Sequence, residues 1–311
     1  MSKTILVTDS LFIFPEHEKM LRQAGYDIAR LDKPAATEEE LVRAIKGKVA
    51  YILGGIEKVT DAVINAADDL KVIVFTGSDW KQFIPGYALA TQKDIAIANA
   101  PGANSYAVAE YTVALMLAMT RNVFELGRTG KAVFETTSSL KELTIGIVGM
   151  GHIGSQVARM LNGLGAKRIV YTSNTRKPEI ESATGASFTG LNDLLKMSDI
   201  VTIHVPKAQN KNLIDSAKLS LLKDGSLLIN CAFVGALERE ALLAELKSGR
   251  IKAAQDEPFG NEFDALPLGV WFNSNSGTAF NTHEANQKAS DMAVESLLNL
   301  LSGKNDTNKV N

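Results

Sequence analysis

Short apolar runs alternate with stretches of helical periodicity along the whole of this chain. Among these runs are TILVTDS at 4–10 and VAYILGG at 49–55, and a second series opens with LTIGIVGMGHIG at 143–154. Such alternation is typical of parallel sheets, because each parallel strand is joined to the next by a helix that crosses over the sheet. We therefore predict an α/β fold with two doubly wound parallel sheets.

The composition excludes several classes of protein. A length of 311 residues favours two domains, and Lys+Arg 33 against Asp+Glu 35 argues against a nucleic-acid partner held by bulk electrostatics. With one cysteine, Cys231, there is no internal disulfide, and no Cys/His cluster predicts a metal site. No apolar stretch approaches the roughly 20 residues of a membrane span, and residues 1–12 do not resemble a signal peptide. We expect a cytoplasmic protein without a membrane partner.

Three glycines in the pattern G-x-G-x-x-G lie directly between an apolar run and a helical stretch, at Gly149, Gly151 and Gly154. Glycines in this context permit a tight turn, the approach of the backbone to a pyrophosphate, and close packing of helix on strand. The helix that follows adds amide donors and the positive end of its dipole. The pattern predicts a dinucleotide site that includes His152 and Ile153. The alternative is a glycine turn with only a packing role.

The segment YTSNTRK at 171–177 follows the second strand of this unit, where a site for NAD usually has an acidic residue for the ribose hydroxyls. No acid is present in the segment. A 2′-phosphate would instead find donors and positive charge on Ser173, Asn174, Thr175, Arg176 and Lys177. The segment therefore favours NADP(H) as cofactor, with NAD(H) still possible. The alternative is that Arg176 and Lys177 belong to a solvated loop.

Several stretches together resemble the D-isomer-specific 2-hydroxyacid dehydrogenase family. They are NAPGANSYAVAEYTVALMLAMTR at 99–121, GIVGMGHIG at 146–154, HVP at 204–206 and the N-x-A at 230–232. YTSNTRKPE is similar to the ribose loop of NADP-preferring glyoxylate reductases, and GTAFNTHEA at 277–285 is similar to a stretch of D-lactate dehydrogenases. The resemblance implies cofactor contacts at Val205, Pro206, Cys231 and Ala232. It also implies that Asp256 contacts the nicotinamide carboxamide.

The family's chemistry, by the same resemblance, uses an arginine for the substrate carboxylate, a histidine as acid and base, and a glutamate that orients the histidine. Matched position by position, the arginine falls on Phe233 and the histidine on Gly277, while the glutamate remains as Glu257. The pattern indicates a pocket for a substrate without the usual carboxylate. We expect Phe233 to form an apolar wall there, to which Phe259, Trp271 and Phe280 add. Further pocket residues are expected at Gly77, Ser78, Asn275 and Gly277.

No histidine is well placed as a replacement acid. His17 is expected on the surface, His152 at the pyrophosphate, His204 packed near the adenosine, and His283 at a helix start. Tyr106 and Lys81 are the better candidates for the proton donor, since either can donate if the site lowers its pKa. The alternative is a packed tyrosine and a solvated lysine.

Three functions remain open at this point. The first is an NADP(H)-dependent oxidoreductase with an altered substrate site, which transfers hydride to a carbonyl, imine or activated alkene. The second is a dinucleotide-binding sensor or partner protein without turnover, and the third is a weak 2-keto acid reductase. The resemblance further implies a flavodoxin-like substrate domain over 1–101 plus 286–311, and a Rossmann cofactor domain over 102–285. It implies a homodimer formed by the cofactor domain and an excursion at 121–140. We expect the polar tail after about residue 302 to be weakly ordered.

Overall fold

The computed structural model describes residues 3–8, 13–33, 35–129 and 136–311. Its strands are β1 (Lys3–Thr8), β2 (Tyr26–Leu31), β3 (Lys48–Leu53), β4 (Val72–Phe75), β5 (Ala96–Asn99), β6 (Thr144–Val148), β7 (Arg168–Thr172), β8 (Ser187–Phe188), β9 (Ile200–Ile203), β10 (Leu227–Asn230), β11 (Lys252–Gln255) and β12 (Trp271–Asn273). Its α-helices are α1 (Pro15–Gln23), α2 (Glu38–Ala44), α3 (Asp61–Ala66), α4 (Tyr87–Gln92), α5 (Ser105–Thr120), α6 (Val123–Thr129), α7 (His152–Gly163), α8 (Pro178–Thr184), α9 (Leu191–Met197), α10 (Ser216–Leu219), α11 (Arg239–Lys247) and α12 (His283–Leu301). None of these helices is long and apolar enough to cross a membrane.

The first compact unit consists of Met1–Asn104 and Asn281–Asn311. Its five-stranded sheet has the order β2-β1-β3-β4-β5, and all the strands are parallel. Along β1, Ile5 and Val7 pack on the face that α1 and α12 cover, whereas Leu6 packs on the face that α2, α3 and α4 cover. Because both faces of β1, β3 and β4 are buried, these strands are largely apolar runs in the sequence.

The second unit, Ser105–Phe280, has a seven-stranded parallel sheet in the order β12-β11-β10-β9-β6-β7-β8. Ile145 and Ile147 of β6 pack on the face covered by α5 and α7, and Val148 packs on the face covered by α9 and α11. The prediction of two doubly wound parallel sheets is confirmed, with the flavodoxin-like order in the first unit and the Rossmann order in the second.

The boundaries of the two units lie at Asn104 and Asn281, whereas the sequence was divided near 101 and 286. The helix α5 begins at Ser105, and its buried side chains join the core of the second unit. The ring of His283 contacts Phe14, which places the start of α12 in the first unit. The expected excursion at 121–140 contains the helix α6, and its residues 130–135 lie outside the described part of the chain.

The expectation of a weakly ordered tail is wrong. Lys309 pairs antiparallel with Ala98 of β5, and Val310 N donates to Ile97 O at 2.8 Å. The Asp306 carboxylate accepts from Ser296 Oγ at 3.0 Å and so fixes the tail on α12. The reason is that β5 is the last strand of its sheet, and its free N–H and C=O groups offer partners to any extended chain beside it.

His17 is not a surface residue, contrary to the expectation. Its side chain is 0% exposed, its Nε2 lies 2.8 Å from Asp291 Oδ1 of α12, and its Nδ1 accepts from Phe14 N at 3.2 Å. Both ring nitrogens therefore have partners within the first unit, which compensates the burial of the imidazole.

Candidate functional site

The glycine turn lies at the carboxyl end of β6, where the strand order reverses between β7 and β9. Gly149 has φ +99°, a backbone conformation that favours glycine, and a Cβ there would lie 2.3 Å from His204 O. A Cβ on Gly154 would lie 2.0 Å from Gly149 O. Gly151 has open space around it and is the N-cap of α7. The three glycines thus satisfy a tight turn, an open approach and close helix packing, respectively.

The open approach at Gly151 leads to the amino end of α7, which begins at His152. The first amide groups of a helix have no partner within the helix, and its dipole adds partial positive charge at this end. His152 is exposed beside this end, and Ile153 is half-buried against the core. The turn is therefore built to hold a negatively charged group such as a pyrophosphate.

The ribose loop after β7 contains a pairing that the sequence did not reveal. The guanidinium of Arg176 donates to Glu181 of α8 from Nε at 3.1 Å and from Nη2 at 2.7 Å. Tyr171 Oη donates to the same carboxylate at 2.6 Å and accepts from Lys177 N at 2.7 Å. The hydrogen bonds from Arg176 and Tyr171 lower the pKa of Glu181, which is therefore ionised at neutral pH. Arg176 is not simply a solvated loop residue.

The remaining residues of this loop offer hydroxyl and amide groups. Ser173 Oγ donates to the carbonyl oxygen of Thr175, and Asn174 and Thr175 are exposed. The structure thus brings all the predicted ribose-loop residues to the carboxyl end of β7, next to the strand that leads into the glycine turn.

The end of β9 brings His204, Val205 and Pro206 to the same edge of the sheet. His204 is 8% exposed, and its Nε2 lies 2.9 Å from Thr202 Oγ1. Burial lowers the pKa of His204 to about 3, so the imidazole is neutral at physiological pH. Val205 is half-buried and Pro206 is exposed.

The low pKa of His204 predicts a pH-dependent stability. Its pKa falls from 6.5 in an exposed imidazole to about 3 in the folded protein. As the pH drops below 6.5, the imidazole therefore binds a proton in the unfolded chain but stays neutral in the folded chain. We expect the free energy of unfolding to fall by up to about 1.4 kcal/mol per pH unit between about pH 6.5 and pH 4.5. Urea unfolding of the parent and of His204→Gln measures this effect. Equal slopes against pH in the two proteins would contradict it.

The turn after β10 is folded by one buried amide. Asn230 Nδ2 donates to Phe233 O at 2.9 Å, and Ala232 N donates to Asn230 Oδ1 at 3.0 Å. Cys231, between them, is half-buried, and burial raises the pKa of its thiol to about 12, which excludes a reactive thiolate. The ring of Phe233 is 7% exposed and joins the buried cluster that contains Phe259 and Trp271. Its role in a substrate pocket stays a prediction, as does that of Phe280, which is 38% exposed.

Glu257 and Gly277 lie side by side. A Cβ on Gly277 would be 3.7 Å from Glu257 Cγ, an ordinary contact distance. Gly277 has φ +62°, so a histidine at this position would be strained. Glu257 Oε2 accepts from Val234 N at 2.9 Å and thereby fixes the turn that follows Phe233. The glutamate thus has a partner on the backbone in place of an imidazole.

Asp256 organises the segment from Ser274 to Ala279. Its carboxylate is 5% exposed and accepts from Ser274 Oγ at 2.8 Å and from Ala279 N at 3.0 Å. Gly277 N donates to the backbone oxygen of Asp256 at 3.1 Å. Asn275, within this segment, is exposed with φ +55°. The lone pairs that stay open on the Asp256 carboxylate can accept an additional donor such as a carboxamide.

Tyr111 of α5 is a site residue that the sequence did not reveal. Burial raises the pKa of Tyr111, whose side chain lies near Ser274, Asp256 and Cys231. The helix α5 is apolar around most of its circumference, so its sequence pattern does not distinguish the side that faces this site.

The predicted proton donors lie in different units. Tyr106 is on α5 of the second unit and is 61% exposed. Lys81 is in the first unit, exposed, with its Nζ 5.6 Å from the ring centroid of Trp80. Ser78 Oγ accepts from Gly102 N at 3.1 Å, and Gly77 lies close against Phe75. Within the described ranges, no group of three or more His, Cys, Asp or Glu side chains converges as a metal site would require.

A parallel sheet of this order, with a glycine turn where the order reverses, defines a dinucleotide-binding α/β protein. Residues 113–268 match the family model described as D-isomer specific 2-hydroxyacid dehydrogenase, NAD binding domain. The chain belongs to the D-isomer-specific 2-hydroxyacid dehydrogenase family, which confirms the resemblance found in the sequence.

Known proteins similar to this chain include two archaeal enzymes and one solved structure. A glyoxylate reductase of Thermococcus litoralis is 30% identical over 96% of this chain and 94% of its own length. A D-3-phosphoglycerate dehydrogenase of Methanocaldococcus jannaschii is 32% identical over 99% of this chain. The match covers only 59% of the length of that dehydrogenase. A crystal structure of a protein from Thermus thermophilus has a TM-score of 0.85 and 29% identity, covering 99% of this chain and 100% of that chain.

Proposed function

We propose that this chain is an NADP(H)-dependent oxidoreductase that transfers hydride to a carbonyl, imine or activated alkene lacking the usual carboxylate. The observation that carries the proposal is an intact dinucleotide turn together with Phe233 and Gly277 at the positions of the family's arginine and histidine. Neither residue can pair with a carboxylate or release a proton. Loss of a general acid costs about 10²–10⁴ in rate, and an unpaired buried carboxylate costs about 2–5 kcal/mol, so 2-oxo acids are poor substrates.

The preference for NADP(H) over NAD(H) is supported by the ribose loop. The loop contains no carboxylate and offers hydrogen-bond donors on Ser173, Asn174 and Thr175. The side chain of Arg176 is 64% exposed. A phosphate group is recognised by such donors and by the planar fork of arginine. The bound cofactor supplies the hydride, while the glycine turn binds its pyrophosphate and Asp256 orients its carboxamide.

Tyr106 and Lys81 remain our proposed sources of the proton that accompanies hydride transfer to a carbonyl. Tyrosine and lysine are both established general acids in enzymes. Tyr106→Phe and Lys81→Met remove each proton without removing the bulk of the side chain. Only the variant that removes the donor loses a large part of kcat.

We expect NADPH to bind at micromolar concentrations and NADH at least about tenfold more weakly, because the 2′-phosphate gains charge-assisted hydrogen bonds. Quenching of the fluorescence of Trp80 and Trp271 during titration with each cofactor measures both dissociation constants. Equal or tighter binding of NADH would overturn the cofactor preference. Binding of neither cofactor would overturn the oxidoreductase proposal.

Turnover assays with NADPH then separate the competing functions. The matched panel consists of neutral ketones, cyclic imines and 2-oxo acids of similar size. The rate of each reaction is measured from the absorbance of the reduced nicotinamide. Faster turnover of the neutral substrates supports the proposed function. Preference for 2-oxo acids indicates a weak reductase of the family type, and binding without turnover of any compound favours a sensor or partner protein.

We also propose that the chain forms a homodimer through its second unit. Leu117 is 38% exposed and Val123 is 53% exposed, on the consecutive helices α5 and α6, and large exposed apolar side chains are typical of protein interfaces. Sedimentation equilibrium is expected to give twice the mass of 33.5 kDa, and a monomer at micromolar concentration would exclude the dimer.

A further inference from the structure

The pairing of Arg176 with Glu181 joins an exposed side chain to a largely buried one. The Arg176 side chain is 64% exposed, whereas the Glu181 side chain is 18% exposed. Glu181 is anchored by the hydroxyl of Tyr171, whose side chain is buried between the sheet and α8. The guanidinium is therefore the member of the pair that a ligand in solvent can reach.

Two of the five N–H groups of Arg176, one on Nε and one on Nη2, point at Glu181. The other donors, on Nη1 and the second position of Nη2, are left for a ligand. A 2′-phosphate that accepts hydrogen bonds from these donors binds a guanidinium whose positive charge is partly offset by the carboxylate of Glu181. NADH lacks that phosphate, so its binding does not depend on the charge of the guanidinium.

We propose that Glu181 sets the ratio in which this chain binds NADPH and NADH, by weakening the attraction of Arg176 for the 2′-phosphate. The inference rests on the proposed NADP(H)-dependent function and extends it. No acidic residue lies between Ser173 and Lys177. The first turn of α8 nevertheless brings the carboxylate of Glu181 to this loop. Glu181 is thus a specificity-determining residue that acts through Arg176.

Glu181→Gln tests the inference, because glutamine keeps the size of the side chain and an oxygen acceptor for Tyr171 while it removes the charge. We expect the ratio of the NADH to the NADPH dissociation constant to rise about tenfold in roughly 20 mM salt, mainly through tighter NADPH binding. Glu179→Gln is the matched control, since Glu179 lies in the same turn of α8, is exposed and has no hydrogen bond to Arg176. It is expected to change the ratio less than twofold.

A double-mutant cycle with Arg176→Ala distinguishes an action through Arg176 from a general effect of charge. In the Arg176→Ala background, Glu181→Gln is expected to leave the ratio unchanged. An unchanged ratio in the single variant Glu181→Gln would overturn the inference. So would a lower ratio, because it would mean that Glu181 orients Arg176 toward the phosphate.

The outcome for the proposed function is read from the parent protein alone. A parent that prefers NADH contradicts the cofactor preference, yet a tenfold rise of the ratio in Glu181→Gln would still support the role of Glu181. Circular dichroism melting curves of each variant verify that the fold is retained. A Glu181→Gln variant that does not fold is replaced by Glu181→Ala, which removes the charge and leaves the hydroxyl of Tyr171 in place to accept from Lys177 N.

Discussion

Gly154→Ala is expected to destabilise the second unit by about 3 kcal/mol or more and to abolish dinucleotide binding. A Cβ at Gly154 would lie 2.0 Å from the oxygen of Gly149 and 3.1 Å from its carbonyl carbon, so α7 would have to move away from the turn. Overpacking against the backbone costs more than overpacking against a flexible side chain. The melting temperature, measured by circular dichroism, is expected to fall by about 10 °C.

Two other glycines of the same helix region provide the controls. Gly151 has no atom within 4 Å of an added Cβ, so Gly151→Ala is expected to fold normally but to weaken NADPH binding, because its methyl group occupies the approach to the helix end. Gly163, near the end of α7, is likewise unobstructed, and Gly163→Ala is expected to alter neither fold nor binding. A Gly154→Ala protein with the melting temperature of the parent would contradict the close packing described at this turn.

Asp256→Ala is expected to lower the free energy of unfolding by about 1–3 kcal/mol and to weaken NADPH binding at least tenfold. The substitution leaves Ala279 N without its acceptor, and a buried donor without a partner costs roughly 1–3 kcal/mol. Ser274 Oγ loses the carboxylate but keeps the backbone oxygen of residue 256 as an acceptor. The segment from Ser274 to Ala279 then loses the hydrogen bonds that fix its geometry, on which the proposed contact of Asp256 with the carboxamide depends. Urea unfolding and fluorescence titration measure the two effects separately.

Asp256→Asn keeps the volume of the side chain, but its NH₂ group replaces one of the two oxygens that accept from Ser274 Oγ and Ala279 N. Two donors then face each other, so an intermediate loss of stability is expected. Asp264→Ala, at an exposed position of the same region, is the control and is expected to change the unfolding free energy by less than about 0.5 kcal/mol. An Asp256→Ala protein that binds NADPH as tightly as the parent would count against a role of Asp256 at the carboxamide.

The fold was predictable from the sequence because its signal is periodic and local. Strands buried on both faces appear as apolar runs, and the glycine turn at Gly149, Gly151 and Gly154 combines spacing with a strand before it and a helix after it. Each of these features is contained within about 20 residues. Tertiary contacts were not needed to recognise them.

The missed features all depend on contacts that the local pattern does not encode. Glu181 pairs with Arg176 from the first turn of α8, beyond the end of the strand, where the acid of an NAD site is expected. The partner of His17 is Asp291, on the helix at the opposite end of the chain. Tyr111 lies on a helix with apolar residues on all sides, so neither its amphipathicity nor its spacing indicated a site.

The pairing of Lys309 and Val310 with β5 closes an otherwise open edge of the first sheet. An uncovered edge strand of alternating N–H and C=O groups is a template on which a second molecule can add its own strand, and aggregation begins in this way. Substitutions or cleavage that displace Lys309 and Val310 from β5 would therefore promote association between molecules before they affected any chemistry.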